Sequence, residues 1–257
     1  MANRVVVTGG SGGLGEAFCA AFGDRGDEVV PVDVVGTDRR LDVTDPGACR
    51  RLAEDVKPDI WVNNAGVTGA GELLDQQDDQ IQRIVAVNFL GVVNGTRAAA
   101  RAMLDRGGVI LNVASLAGWA PTPHIAVYSG TKHAVRAFSV AAAAELRHTP
   151  VRVKCLLPDG IRTPMVHVDD PRHLMSFTGK RLLEPAEVVA AGLALLTSKR
   201  VLASVPPTRG LTVRLLGIWP GLASALQSTV EARARRNQAT AQAGSSEAPP
   251  TGSTQPP

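Results

Sequence analysis

Aromatic side chains are scarce in this chain, at 4% of 257 residues, and Tyr128 is its single tyrosine. A core made from this material is expected to be mostly Val, Leu and Ala, which the 44% apolar content supplies in quantity. Cysteine is also rare. Cys19, Cys49 and Cys155 are odd in number and far apart. They fit neither a disulfide framework nor a metal-ligand spacing, and read as small buried hydrophobes in a reducing compartment. Charge of one sign is not in excess: 27 basic and 24 acidic residues leave a formal charge of +3, scattered along the chain. That excludes the basic footprint of a nucleic-acid binder. No uninterrupted apolar run approaches the roughly 20 residues of a membrane span. Met1-Ala2-Asn3-Arg4 leads straight into an apolar segment, without a charged leader followed by an apolar stretch. The expectation is a cytoplasmic protein with no metal site.

Glycine, by contrast, is concentrated near the start. Arg4-Val5-Val6-Val7-Thr8 is apolar on both faces, as a buried parallel strand would be. Thr8-Gly9-Gly10-Ser11-Gly12-Gly13-Leu14-Gly15 follows, and Glu16 to Phe22 carry a helical apolar pattern. Strand, glycine turn and helix in this order let a backbone approach a pyrophosphate held at the helix N-terminus. Glu28 to Asp33 reads as a second strand ending in a carboxylate, 18 residues beyond Gly15 (33 − 15). An acidic group there accepts hydrogen bonds from ribose hydroxyls and repels a 2′-phosphate, so Asp33 favours NAD over NADP. Arg39 and Arg40 follow closely and pull the other way, although Asp38 adjoins them. At Thr44-Asp45-Pro46, either Thr44 or Asp45 can cap the next helix, with proline in its first turn.

In the middle of the chain, Tyr128 and Lys132 stand four positions apart. On a helix they share a face, one turn from each other. An ammonium beside a phenol favours the phenolate and is expected to lower its pKa, which suits proton exchange with an alcohol or carbonyl. Gly108 to Ser115 reads as a strand that ends in serine at the edge where open α/β sheets bind ligands. Ser115 has no G-x-S-x-G elbow and no histidine–acid set at the usual spacings, so it does not read as a nucleophile.

The glycine spacing Gly9, Gly13, Gly15, the run Asn63-Asn64-Ala65-Gly66 and the Tyr128/Lys132 pair, with Ser115 thirteen positions before the tyrosine (128 − 115), resemble the short-chain dehydrogenase/reductase family. The match runs from about Arg4 to Thr163 and fades beyond. The resemblance implies an α/β single domain, a Rossmann-like doubly wound parallel sheet with helices on both faces. It implies that Gly9, Ser11, Gly12, Gly13, Leu14 and Gly15 cradle the cofactor. Asp42 and Val43 would flank adenine, Asn64, Ala65 and Gly66 would pass beneath the cofactor, and Ile161 and Thr163 would reach the nicotinamide carboxamide. Tyr128 would be the acid/base. Lys132 would lower its pKa and hold the nicotinamide ribose. Ser115 would polarise the substrate oxygen, and Asn88 would sustain a water-linked proton relay. Tyr128 and Ser115 together would hold the substrate.

The expected function is NAD-dependent hydride transfer between nicotinamide and a secondary alcohol or ketone, with a Met- and apolar-rich lid at about 164–183 pointing to a lipophilic one. Alternatives are an NADP-preferring reductase and a non-catalytic dinucleotide-sensing or scaffold module. Asp159 departs from the glycine of relatives; it either serves a turn, where aspartate tolerates the left-handed region and Gly160 assists, or faces the substrate and favours a donor group. His124 lines the pocket or stands on the surface, and His133 reads as a solvated or helix-end residue. The organisation expected is a catalytic domain over 1–205, an amphipathic helical extension over 206–237 and a disordered tail over 238–257. In the extension, Leu211, Leu215, Ile218, Leu222 and Leu226 recur at helical spacing, with Pro220 dividing the helix. That stripe reads as packed over the substrate pocket or against another subunit, with membrane-surface contact the less favoured alternative. A homotetramer or homodimer is implied by the resemblance.

Overall fold

The structure, a computed structural model, describes residues 2–69, 71, 73–164, 166, 170–219, 221 and 225–246. The sequence expectations for Met165, His167, Pro220, Leu222 and the last part of the tail lie outside the described residues.

Seven strands form one sheet in the order β3-β2-β1-β4-β5-β6-β7, every neighbouring pair parallel. They are β1 (Arg4–Thr8), β2 (Glu28–Asp33), β3 (Arg39–Arg40), β4 (Ile60–Asn63), β5 (Gly108–Val113), β6 (Val151–Pro158) and β7 (Leu202–Val205). This is the doubly wound order, which reverses direction next to β1 and opens a crevice at the C-terminal strand ends. β3 is only two residues long and stops before Leu41.

The β-branched strands are apolar throughout because both faces are covered. Val5 and Val7 pack with Phe18 and Phe22 of α1 (Gly13–Asp24) and with Val188 and Leu195 of α6 (Pro185–Thr197). Val6, between them, points the other way. It joins Trp61, Ile110, Cys49 of α2 (Pro46–Val56), and Ala99 and Met103 of α4 (Gly91–Met103). α3 (Asp78–Val85) runs into α4 through a π-helical turn at Ala86–Leu90, and α5 (Ala126–Glu145) packs on the same side. Asp45, not Thr44, caps α2: its carboxylate accepts from the N–H groups of Gly47 and Ala48 at 2.7 and 3.0 Å.

The C-terminal segments differ from the sequence expectation. α7 (Pro207–Ile218) is followed by a helix, here α8, over Gln227–Ser246. The tail expected from 238 onward is therefore helical through Ser246. Its Ala and Gln residues are good helix formers, and tertiary contacts hold it. Asn237 Nδ2 donates to Phe177 O and Gly179 O at 2.9 and 2.6 Å, and Gln238 Nε2 donates to Asp170 O at 3.0 Å. Ala234 is fully buried. These bonds fasten α8 to the 3-10 turns at Pro171–Phe177, within the expected lid. Among the described residues, no helix is long and apolar enough to cross a membrane.

Candidate active site

A cavity of about 1080 Å³ lies along the C-terminal edge of the sheet. Its first half is built from backbone. The turn after β1 takes a positive φ at Gly9 (66°) and Gly13 (54°), conformations that glycine adopts without steric cost. A Cβ on Gly9 would stand 2.8 Å from Ala65 Cα, and one on Gly15 would collide with Gly9 O. A Cβ on Gly12 would meet nothing within 4 Å. No side chain caps α1 at Gly12; Gly15 N turns back to Gly12 O at 3.1 Å, and Gly12, Gly13 and Leu14, whose N–H groups begin the helix, border the cavity. The adjacent β4 exit is tied to this turn. Asn64 Nδ2 donates to Thr8 O and Gly9 O at 3.1 and 3.2 Å, and the N–H groups of Asn64 and Ala65 donate to Thr8 Oγ1, each at 3.0 Å.

Asp33 ends β2 on the cavity wall. Its Oδ2 accepts from Ser11 Oγ at 2.6 Å and its Oδ1 accepts from Val34 N at 2.7 Å. Arg39 turns away from it to Asp55 of α2, at 2.7 Å. Asp42 accepts from the N–H and hydroxyl of Thr44 at 2.9 and 2.7 Å, while it and Val43 also border the cavity.

The second half brings side chains together. Ser115 follows β5 in extended backbone, and its Oγ accepts from Ala117 N at 3.2 Å. Tyr128 lies in the first turn of α5 and borders the same cavity as Ser115, close enough for the Ser115 side chain to act on its phenol. Burial pushes the Tyr128 phenol up to about 12, against which the Ser115 contact works weakly. Lys132 donates to Val113 O at 3.1 Å and lies 5.5 Å from the Tyr128 ring centroid. Burial lowers it to about 8.

Spacing predicts a lysine that acidifies the tyrosine; burial of the pair works in the opposite direction and disfavours the charged form of each. The ammonium also lies near the ring, a contact that stabilises the cation and not the phenolate.

Of the residues expected at the site, Gly9, Ser11, Gly12, Gly13, Leu14, Asp33, Asp42 and Val43 line one part of this cavity. Asn64, Ala65, Gly66, Ser115, Tyr128, Lys132, Ile161 and Thr163 line the rest. Gly15 and Asn88 do not. Gly15 is buried against the turn backbone. Asn88 is fully buried in the π-helical turn, donating to Val67 O and accepting from Val67 N, each at 2.8 Å. It thus braces the chain just after Gly66. A Cβ placed on Gly66 would lie 3.4 Å from Asn88 Oδ1 and 3.9 Å from Lys132 Nζ, so the three residues converge.

Other expectations change as well. Asp159 does not take a positive φ, and neither does Gly160. Gly160 is needed for close approach instead, since a Cβ there would collide with Ser176 O. His124 is not on the cavity wall; its Nε2 is 3.4 Å from Glu231 Oε1. His133 is on the wall, with Nδ1 2.9 Å from Ser129 O. The leucine stripe of α7 points outward, with Leu211, Leu215 and Ile218 at 60%, 46% and 59% exposure. Arg209, Val213 and Leu216, on the other face, line the cavity, together with Leu226 and with Val230 of α8. The i, i+4, i+7 spacing of 209, 213 and 216 was there to be read, but the leucines alongside form the stronger apolar pattern.

A doubly wound sheet with this glycine turn after its first strand defines a Rossmann-like class of fold. The model for short chain dehydrogenases matches residues 37–173. Cyclopentanol dehydrogenase from Comamonas testosteroni is 33% identical, over 76% of this chain and 90% of that protein. A probable oxidoreductase of Mycobacterium tuberculosis, EphD, is 32% identical over 89% of this chain, which spans only 45% of EphD. A Burkholderia cenocepacia short chain dehydrogenase, solved in complex with NADP, is 27% identical with a TM-score of 0.73, covering 88% of this chain and 95% of that one. A Burkholderia phymatum structure in complex with NAD superposes at a TM-score of 0.75, with 24% identity and coverage of 86% and 95%. The chain belongs to the short-chain dehydrogenase family.

Proposed function

We propose that this protein is an NAD-dependent oxidoreductase that transfers a hydride between nicotinamide and a lipophilic secondary alcohol or ketone. One observation carries the reading. Tyr128, Ser115 and Lys132 line the same cavity that the glycine turn and Asp33 border. The cradle fits a dinucleotide: open space at Gly12, uncapped N–H groups at the start of α1 and a carboxylate at the end of β2 answer pyrophosphate and ribose in turn.

Nicotinamide, when bound, supplies or accepts the hydride. Tyr128 holds the proton. Protonated at neutral pH, it can donate to a carbonyl oxygen in reduction, although burial, which pushes the phenol up to about 12, makes it a weaker acid for that step. Ser115 donates to the same oxygen and fixes its position. Lys132, anchored on Val113 O, supplies donors next to Gly66 and a positive charge that weakens as pH rises through 8. Asn88 acts as a positioning residue through Val67, and the relay role implied by the resemblance would operate from there. The apolar residues Val213, Leu216, Val230 and Met175 on the wall support a lipophilic substrate. Asp33, with Arg39 diverted to Asp55, supports NAD, while the NADP-bound relative keeps an NADP-preferring reductase as the second reading. Val85, Leu90 and Val140, exposed on the helices around Asn88 and Tyr128, support self-association as a dimer or tetramer, which sedimentation would measure.

The test is Tyr128→Phe. NADH oxidation with a ketone panel should fall by about 10²–10⁴-fold, while NADH binding, followed by fluorescence, stays intact. Turnover equal to wild type would remove Tyr128 from the mechanism.

A further inference from the structure

Strand register places one residue that the proposed reaction does not use beside one that it does. Val113 of β5 pairs with Leu156 of β6. Extending that register sets Pro158 opposite Ser115, so Asp159 is one strand over, about 5 Å, and one residue further on. Its N–H donates to Val205 O at 2.8 Å, which holds its backbone to β7. Its carboxylate Oδ2 meets Arg209 Nε at 3.4 Å, and the two side chains are only 11% and 25% exposed. Both residues border the cavity. A Cβ on Gly179 would come within 2.7 Å of Asp159 Oδ2, so the carboxylate occupies space that a glycine leaves open. Arg209 is fixed through Nε alone; its Nη1 and Nη2 donors have no acceptor among the described residues.

The surrounding wall is apolar, from Val213 and Leu216 of α7, Val230 of α8 and Met175. An ion pair withdrawn from water into such a wall gives little net stability, and apolar replacements are often as stable or more so. Spare donors and a carboxylate in that setting are more useful for discrimination, because a site built to hydrogen-bond a hydroxyl strongly rejects the analogue lacking it.

We propose that Asp159 and Arg209 form a polar clamp in the substrate wall, which selects a ketone bearing a hydroxyl group a few bonds from the reacting carbon. The hydroxyl donates to the Asp159 carboxylate and accepts from an Arg209 Nη–H. A substrate carboxylate would face the Asp159 carboxylate, and an ammonium would face Arg209; a hydroxyl satisfies both partners. The clamp rests on the reading of this cavity as a carbonyl-reducing site.

The experiment compares kcat/KM for cyclohexanone, 3- and 4-hydroxycyclohexanone and 4-oxocyclohexanecarboxylate, in the full chain with NADH. Wild type should prefer a hydroxyketone over cyclohexanone by tenfold or more. That ratio should fall to about twofold or less in Asp159→Gly and in Arg209→Met, the second variant covering any misfolding of the first. A wild-type ratio near one, a ratio that survives both substitutions, or a preference for the carboxylate would overturn the clamp. If wild type reduces none of the four, the oxidoreductase reading fails separately. The clamp is then read by saturation-transfer NMR with cyclohexanol and 1,4-cyclohexanediol. A diol preference lost in both variants supports it, and equal binding refutes it.

Discussion

The two halves of the cavity are built on different principles. The half that fits a dinucleotide is made by backbone: two positive-φ glycines, a third whose Cβ would strike a carbonyl, and an asparagine bonded to two carbonyl oxygens of the turn. The other half is made by side chains from the end of β5, α5, the end of β6, α7, α8 and the 3-10 turns at Pro171–Phe177. Backbone geometry leaves little room for variation and suits a ligand shared by many proteins. A wall of side chains on helices that pack late in the chain can be changed without disturbing the sheet. The difference teaches which part of the cavity is fixed by the fold and which part can vary with the side chains on it.

Lys132 stands where the halves join, and Lys132→Met gives the largest expected effect after Tyr128. Activity should fall about 10²-fold. Stability should move the other way. Lys132 has a folded pKa of about 8 against 10.5 unfolded, so the unfolded chain binds more protons between these values. The cost of burying its charge is complete below pH 8 and relieved as pH rises to 10.5. Lys132→Met should therefore be at least as stable as wild type at pH 7, and that advantage should close across this window. Chemical denaturation at pH 7, 9 and 10.5 measures it. A variant less stable than wild type at pH 7 would mean that the bond to Val113 O outweighs desolvation.

Within the backbone half, Gly15→Ala and Gly12→Ala should separate sharply. The first should lose about 1–3 kcal/mol as the new methyl meets Gly9 O, with NADH affinity falling alongside. The second should change stability by less than about 0.5 kcal/mol. Thermal melts of both variants sharpen the claim that only part of this turn is constrained by its own packing. Asp33→Ala should weaken NADH binding by about tenfold, or about 1.4 kcal/mol, and shift preference toward NADPH. Wild type binding NADPH more tightly than NADH would reverse the cofactor assignment.

The smallest effect tests the substrate half. Leu215→Ser, on the outer face of α7, should alter monomer stability by less than about 0.5 kcal/mol. Val213→Ser, on the inner face, should raise KM for a lipophilic ketone several-fold. Equal effects would show that α7 does not divide into a cavity face and an outer face.

Much of this arrangement was legible in the sequence. Val5 to Val7 announce a strand covered on both sides, and the glycine run after it announces the turn that leads into α1. Ser115, Tyr128 and Lys132 are brought to one cavity from residues on two neighbouring elements, as their spacing implied. The faces of α7 were not legible. Leu211, Leu215 and Ile218 have the stronger period, yet Arg209, Val213 and Leu216 turn inward, because the cavity they cover is formed by chain far away in sequence. The end of α8 was missed for the same reason: composition marked a tail at 238, whereas carbonyls of the 170s hold Asn237 and Gln238.

The sequence by itself determined which chemical groups are present and in what order, because strand periodicity, glycine spacing and helical repeats are local properties of the backbone. Only the tertiary structure decided how those groups behave. Lys132 and Tyr128 share a helix face as their spacing requires, but the surrounding chain buries the lysine and half-buries the tyrosine on the cavity wall, and burial works against the charged form of each where proximity alone predicted a more acidic phenol. Burial is a sum over distant neighbours, and no local pattern contains it.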